Sequence, residues 1–433
     1  MPAAAAFEPF FQRARVIVRV RFPALRSRNF RLYWTGQAIS LIGTWMQSVA
    51  VSWLVWRISK SAFLLGLVGV CSTLPILAFS LYAGVVADRF VRRRVILFTQ
   101  VFSMLQATVL AAWVTFGHPP VEAVLGLVAV MGVINAFDLP ARQSFISETV
   151  SPRVLPNAIA LHSAIFNGAR LLGPALAGIV LAAVGEAPCF WINAASYIAV
   201  IYGLWKMDLP ERAPEPAHAS ATQHVRAGIA YAWKSAPLRN LLILLGTAGS
   251  FGFQYTVLVP IYADKVLGRG AGGYGLLMSA AGVGALSAAL VMTRKQDRWQ
   301  LRRNLLIGLS TFGAGLIGFS LSRVFALSVA LSLVIGFGMI LYAASTNILI
   351  QQTVTEGFRG RVMSLYTLMF VGTAPFGSFV LGSVAQHFGA PWATRISGGL
   401  CVLGALWVFL RLRVLARTEA ATAAPAPARA AGG

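Results

Sequence analysis

Long apolar runs recur along almost the whole of this 433-residue chain, and they constrain its fold more than any other feature. A helix of about 20 apolar residues, rising ~1.5 Å per residue, crosses the ~30 Å hydrocarbon core of a bilayer. Only 11% of the residues are charged, whereas an average soluble domain has about 25%. We therefore expect an all-α protein that crosses a membrane many times.

The apolar runs predict twelve membrane-spanning helices separated by short polar segments. An even number of spans puts both chain ends on the same side of the membrane. The predicted spans are residues 32–56, 64–86, 95–117, 123–147, 157–184, 188–207, 239–263, 272–293, 304–322, 325–352, 362–386 and 392–412.

The distribution of basic residues predicts the orientation. The formal net charge is +23, and most of the 36 lysines and arginines lie in segments that share the side of the N-terminus. Cytoplasmic loops carry an excess of such residues, which face anionic lipid, so both termini are expected in the cytoplasm. No basic segment interleaved with aromatic residues is present to hold a nucleic-acid strand, and no nucleic-acid partner is expected.

The chain divides into two similar halves around a polar linker. The segment "FISETVSPRVLPNA" (145–158) follows span four, and "LIQQTVTEGFRGRV" (349–362) follows span ten in the same way. Duplicated halves are typical of transporters that rock around a central site. The predicted organisation is a cytoplasmic segment 1–31, a six-helix bundle 32–207, a linker 208–238, a second bundle 239–412 and a disordered cytoplasmic tail 413–433.

The loop between spans two and three carries an unusual pattern of charge, "GVVADRFVRRRV". The positive-inside rule explains its arginines but not its aspartate. The loop resembles the signature of the major facilitator superfamily, which has a glycine, three residues, Asp-Arg, two residues and a basic pair. The matching positions are Gly84, Asp88, Arg89, Arg92 and Arg93, and Val91 departs from the pattern because the family usually has glycine there.

The resemblance implies the major facilitator fold, with two pseudo-symmetric six-helix bundles, and a role for these charges as a cytoplasmic gate. Asp88 would lie near the N-terminus of span eleven, where a helix dipole stabilises a carboxylate. Arg92 or Arg89 would meet Glu148 just after span four, and Gly84 would let helices approach closely. The alternative is that the loop only fixes topology.

Several longer stretches resemble one bacterial branch of that superfamily, the transmembrane secretion effectors, which include macrolide-efflux and enterobactin-export proteins. They include "NAFDLPARQSFISE" (135–148) and "RGRVMSLYTLMFVGTAPFGS" (359–378). The resemblance implies export of a small organic molecule by proton antiport. We expect a monomer in the bacterial inner membrane. Uptake of a metabolite and a non-transporting sensor or scaffold remain open alternatives.

We do not expect this protein to be an enzyme. The five histidines form no cluster with acidic residues, and the chain has no P-loop for a nucleotide. The three cysteines lie far apart inside apolar spans, without metal-ligand or disulfide spacing. We therefore expect no catalytic residues, no metal and no cofactor.

Three charged residues lie inside predicted spans and away from the span ends, where a charge is costly unless it is paired or faces a wet cavity. They are Asp138, Arg142 and Arg170. If span four continues through Pro140, Asp138 and Arg142 lie on one face of the helix. We expect Asp138 to carry the coupling proton and to pair with Arg142 or Arg170 when deprotonated. The alternative is a static structural pair.

Other polar residues in the spans are candidates for the cavity wall or for hydrogen bonds between packed helices. They are Gln37, Thr44, Gln47, Ser48, Asn167, Gln254, Tyr255, Asn347 and Gln351. The stretch "GPALAG" in span five resembles a motif of antiporters, in which Gly173, Pro174 and Gly178 permit a bend and close packing. Ordinary small-residue packing of membrane helices is the alternative.

Overall fold

The computed structural model describes residues 22–209, 229–294, 296–355 and 358–423, apart from the side chains of Leu81, Asp88 and residues 411–423. Within these ranges the fold is all-helical, and twelve helices are long and apolar enough to cross a membrane, as predicted. They are α1 Arg28–Ser59, α2 Ala62–Arg89, α3 Arg92–Phe116, α4 Val121–Thr149, α5 Leu155–Val184, α6 Ala187–Trp205, α7 Ala236–Val266, α8 Gly270–Met292, α9 Arg298–Leu321, α10 Phe325–Thr353, α11 Arg359–Phe388 and α12 Ala390–Ala423.

Several helices begin before the apolar runs that predict them, because a polar residue caps an additional turn. Ser27 caps α1 and Ser61 caps α2, each accepting a hydrogen bond from a backbone N–H three residues on. Asp297 and Gln300 form a reciprocal capping box at the start of α9. Such caps satisfy backbone donors that the helix itself leaves free. These first turns contain polar residues, so hydropathy alone places the helix starts too late.

Helix α7 is irregular through its middle, which the sequence did not predict. A π turn at Ala248–Gly252 is followed by a 3₁₀ segment at Phe253–Leu258 and a second π turn at Tyr262–Val266. The first π turn contains two glycines, which favour regular helix poorly. Gly377 of α11 packs directly against the backbone of Ser250 in that turn. Irregular turns of this kind often mark a functional hinge.

Helices α1–α6 pack mainly with one another, as do α7–α12, and two helix pairs make most of the contacts between these halves. The pairs are α5 with α8 and α2 with α11. A Cβ atom built on Gly178 would lie only 2.6 Å from the Cα atom of Gly275, and one built on Gly66 would lie 2.9 Å from the Cα atom of Gly382. Small residues let membrane helices approach this closely, so glycine is required at these crossings.

The contacts between the halves are unequal at the two ends of the bundle. We call the end where α1 begins and α2 ends the basic side, and the opposite end the far side. On the far side, Asp264 of α7 accepts hydrogen bonds from Trp56 of α1 and from Lys60 just after it. The Gln386 side-chain carbonyl of α11 accepts one from the backbone N–H of Ala62, 2.8 Å away. These contacts close the far side.

The halves separate toward the basic side. Along the basic-side part of α5, Ser163, Ala164 and Phe166 are exposed. Around Gly168, the described residues put no heavy atom within 4 Å of a built Cβ atom. The described hydrogen bonds between the halves lie on the far side or at Arg170, so we infer that a gap between the halves opens to the basic side.

Two chain segments differ from the predicted organisation. The predicted linker 208–238 contains a helical segment at 229–234 just before α7, and its residues 210–228 lie outside the described residues. Helix α12 continues to Ala423, where a disordered tail is predicted from residue 413. The added residues include alanines and a glutamate, which favour helix.

Candidate functional site

An ion pair between Asp138 and Arg142 lies inside the first half. Helix α4 continues through Pro140, so these two residues share one helical face four positions apart. The Arg142 guanidinium pairs with Asp138 Oδ2. Asp138 is only 3% exposed, so its charge needs compensation in this apolar setting. The structure brings together the acid and the first of its two predicted partners.

Neighbouring helices complete the hydrogen bonding of Asp138 and Arg142. Asp138 Oδ1 accepts hydrogen bonds from the Thr99 hydroxyl at 2.7 Å and from the Gln100 amide at 3.1 Å, both on α3. The Arg142 Nη1 atom donates to the Gln37 side-chain carbonyl of α1. We call these five residues the polar network. It joins α1, α3 and α4, and Thr99 and Gln100 are members that the sequence did not predict.

The polar network and the neighbouring Tyr33 and His162 retain hydrogen-bonding capacity that the described protein atoms leave unused. The Tyr33 ring stacks on the His162 ring beside the network, with centroids 6.1 Å apart. Ordered water commonly satisfies buried polar atoms such as these, so this region of the first half suits water that reaches the carboxylate. The buried atoms without a described partner here are Tyr33 Oη, Gln37 Nε2, Gln100 Oε1, Arg142 Nε and His162 Nδ1.

Arg170 does not pair with Asp138, so that predicted alternative is wrong. Its guanidinium instead lies 3.7 Å from the Met339 sulfur of α10, in the other half. It also lies 5.8 Å from the centre of the Trp45 ring of α1. The residue is oriented away from the polar network and toward the meeting point of the halves.

The basic-side loop forms one of its predicted contacts. Arg92 Nη1 lies 2.7 Å from Glu148 Oε1, and both side chains are 17% exposed. Arg93 donates to the backbone carbonyl of Trp205 at the end of α6, and Arg89 is exposed. These contacts tie α3 to α4 and α6 within the first half. The Asp88 side chain lies outside the described residues, and its contact with α11 stays a prediction.

The expected role of Gly84 is wrong for this structure. Among the described residues, no heavy atom lies within 4 Å of a Cβ atom built there. The reason is that Gly84 lies on a face of α2 that meets no described helix, whereas Ala83 and Ala87 at the same end are buried. The glycines of α2 that do meet α11 are Gly66, against Gly382, and Gly69, against Ser378.

The GPALAG glycines are closely packed. Gly173 lies against the Trp45 side chain and the Ile42 carbonyl of α1, and Gly178 lies against Gly275 of α8. Pro174 lies inside α5 and is buried. The motif therefore packs α5 on both sides, against its own half and against the other.

Three predicted cavity residues instead bond inside the first half. Gln37 belongs to the polar network and is fully buried. Gln47 accepts a hydrogen bond from Asn193 of α6 and donates one to Gln106 of α3. Thr44 donates to the Ser40 carbonyl one turn earlier in α1. Polar groups in a membrane helix must find partners, and packing supplies them here.

The remaining cavity candidates vary in exposure. Tyr255 is buried near Arg170, and Gln254 accepts a hydrogen bond from Ser378 of α11. Asn167 donates to the Ser163 carbonyl, and Gln351 donates to Asn347 at 2.6 Å. The candidates that are exposed or partly exposed are Ser48, Asn167, Gln254, Asn347 and Gln351.

The sequence did not predict the contact between Asp264 and Lys60, because both residues lie at the ends of predicted spans and not inside them. Asp264 follows the last residue of the predicted seventh span, and Lys60 lies in a short loop. The sequence feature that could have indicated this contact is an isolated acid, next to Lys265, at the end of a predicted span. Arg57 and Glu186 form a comparable ion pair of 2.6 Å on this side, but that pair joins α1 and α6 of one half.

Comparison with known proteins supplies the family. A family model described as transmembrane secretion effector matches residues 20–430. The staphyloferrin A transporter of Staphylococcus aureus is 26% identical over 85% of this chain and 92% of its own. The multidrug efflux pump Tap of Mycolicibacterium fortuitum is 30% identical, covering 86% and 93%. The enterobactin exporter EntS of Citrobacter koseri is 26% identical, covering 88% and 91%.

The fold has counterparts among solved structures. A crystal structure of the peptide transporter POT matches with a TM-score of 0.71 at 14% identity, covering 90% of this chain and 95% of that one. At this identity the likeness concerns the fold alone. It agrees with the two-bundle architecture that the sequence predicts.

Proposed function

The chain belongs to the transmembrane secretion effectors of the major facilitator superfamily, and from this membership we propose that it exports a small organic molecule by alternating access. The observation that carries the proposal is the unequal closure of the bundle, joined on the far side and separated on the basic side. A transporter that rocks around a central site requires such a state and its opposite.

The basic side is proposed to face the cytoplasm of a bacterial cell. Its helix ends and loops carry arginines that include Arg28, Arg92, Arg153 and Arg298, and the positive-inside rule assigns such loops to the cytoplasm. The gap between the halves would then be open to the cytoplasm. That is the state in which an exporter takes up its cargo.

Proton antiport is proposed as the driving force, with Asp138 as the residue that carries the proton. In the paired state, Asp138 accepts bonds from Arg142, Thr99 and Gln100, and three donors suit a deprotonated carboxylate. An exporter open to the cytoplasm has just released its proton there. The paired form of Asp138 is therefore the form that antiport requires in this state.

The basic-side charges are proposed to close the cytoplasmic side in the opposite state. Asp88 would then approach the N-terminus of α11, near Arg359, where a carboxylate gains about 0.3–1 kcal/mol from the helix dipole. The Arg92–Glu148 pair would hold the loop in position for that contact. This gate lies at the opposite end of the bundle from Asp264.

The experiment that tests export is accumulation of a compound panel in bacterial cells with and without the protein. The panel includes siderophores and antibiotics, since relatives are a staphyloferrin A transporter and a multidrug efflux pump. We expect lower accumulation of at least one compound with the protein, and loss of that difference with a proton uncoupler. Higher accumulation would indicate uptake instead, and no difference for any compound would contradict transport of this panel.

A further inference from the structure

Arg170 is an intramembrane cation that no described ion pair neutralises. Two described acids within the helices pair with other cations: Asp138 pairs with Arg142, and Asp264 pairs with Lys60. The described acceptor of Arg170 is the Met339 sulfur at 3.7 Å, which is a weak one. A charge at mid-membrane is costly and generally marks a substrate or ion pathway.

The location of Arg170 is the closed end of the gap between the halves. One residue beyond it, Leu171 packs against Gly282 of α8, and the halves stay in contact from there to the far side. Toward the basic side, Gly168 borders open space and Phe166 is 43% exposed. A molecule entering the gap from the basic side would therefore meet Arg170 at its deepest point.

Aromatic side chains form the wall beside this guanidinium. The Trp45 ring centre lies 5.8 Å from the Arg170 guanidinium and 6.0 Å from the centre of the Phe166 ring, which it meets edge-on. Tyr255 of α7 adds a phenol from the other half. Such rings offer stacking surface to a planar group, and the guanidinium offers a charge-assisted hydrogen bond to a carboxylate, phenolate or sulfonate.

We propose that Arg170, with Trp45 and Phe166, forms a binding site for an aromatic organic anion, and that this is the class of molecule the protein exports. The proposal rests on the proposed function for its direction of transport, but the binding site itself does not depend on it. These three residues belong to the first half, and Tyr255 adds a contact from the second half, so the site is complete only where the halves meet around the ligand.

Two xanthene dyes of opposite charge give a direct test with the purified full-length protein in detergent. Fluorescein is anionic and rhodamine 6G is cationic at pH 8, and fluorescence anisotropy measures the binding of each. We expect wild-type protein to bind fluorescein about tenfold or more tightly than rhodamine 6G. Arg170→Gln should weaken fluorescein binding by about tenfold, the usual scale for loss of a charge-assisted hydrogen bond, and leave rhodamine 6G binding unchanged or stronger.

Control variants separate charge from structure. Arg170→Lys should keep most of the fluorescein affinity, and Arg153→Gln, which removes an exposed arginine just before α5, should keep all of it. Absence of fluorescein binding to wild type, a preference for rhodamine 6G, or unchanged fluorescein binding in Arg170→Gln would each overturn the proposal. If Arg170→Gln does not fold, the dye preference of wild type still decides. Export of cationic compounds without anion binding would leave the proposed function standing and this site refuted.

Discussion

The Lys60 ammonium just after α1 lies 2.7 Å from the Asp264 carboxylate near the end of α7, and this ion pair joins the two halves on the far side. The Trp56 indole N–H donates to the same carboxylate oxygen at 2.8 Å. A second lysine, Lys265, places its ammonium 5.1 Å from the centre of the indole ring. A single acid thus holds groups from both halves and, with Gln386, supplies polar links of the far-side closure.

Replacing Asp264 with Asn should weaken the far-side closure. Exposed ion pairs contribute about 0.2–1 kcal/mol, and an amide oxygen accepts the Trp56 hydrogen bond less strongly than a carboxylate does, so the population open on the far side should rise severalfold. Distances between spin labels at Val184 and Phe388, exposed far-side positions in different halves, measure that population. An unchanged distance distribution would contradict a closing role for Asp264.

The matched control for this measurement is Glu186→Gln. It removes an ion pair of similar length at the same end of the bundle, but one that joins helices of a single half. We expect the label distances to stay as in wild type. In the wild-type protein, high salt should increase the population open on the far side, as Asp264→Asn does, because salt screens exposed charges.

Replacing Asp138 with Asn should abolish the proposed proton coupling and also destabilise the protein. The substitution leaves the Arg142 guanidinium buried without its counter-charge, a change that costs about 3–5 kcal/mol in buried pairs. Thermal unfolding measures the stability, and the pH dependence of export measures the coupling. Full pH-dependent export by Asp138→Asn would rule out a coupling role.

The double variant Asp138→Asn with Arg142→Gln distinguishes coupling from a static structural pair. Removing both charges should restore part of the lost stability, because no unpaired charge remains. If the pair is only structural, export and its pH dependence should recover together with stability. We expect recovery of stability alone.

The sequence was sufficient for the overall fold but only for part of the candidate site. Apolar run length determined the twelve spans, since the bilayer sets that length. The spacing of Asp138 and Arg142 predicted their pairing, because residues four apart share a helical face. The bonds of Gln47 depend on helix rotation, and hydropathy does not specify rotation. The role of Asp264 depends on which helix ends meet across the halves, a tertiary relationship absent from local pattern.

Replacing Asp88 with Asn should reduce export while leaving expression and thermal stability close to wild type. The proposed contact with the start of α11 forms only in the state closed to the cytoplasm, so its loss biases the equilibrium between states and not the folding of either half. Export rate and membrane abundance are measured together. Wild-type export by this variant would refute the gate. Arg153→Gln, at an exposed basic-side position outside the proposed gate, should leave export close to wild type.

Replacing Gly178 with Val should force α5 and α8 apart at their crossing between the halves. Even the Cβ atom would lie 2.6 Å from the Cα atom of Gly275, and backbone cannot yield as a flexible side chain does. Overpacking of this kind costs about 1–3 kcal/mol, and it acts at the interface that keeps the far side closed. We expect a lower unfolding temperature and a larger far-side distance between the labels at Val184 and Phe388.

The matched control for the Gly178 variant is Gly126→Ala, because the described residues leave open space around a Cβ atom there. A helical Gly-to-Ala change in open space should stabilise by about 0.5–1 kcal/mol, so its unfolding temperature should rise and its label distances should stay unchanged. Equal behaviour of the two variants would show that the α5–α8 crossing does not depend on glycine.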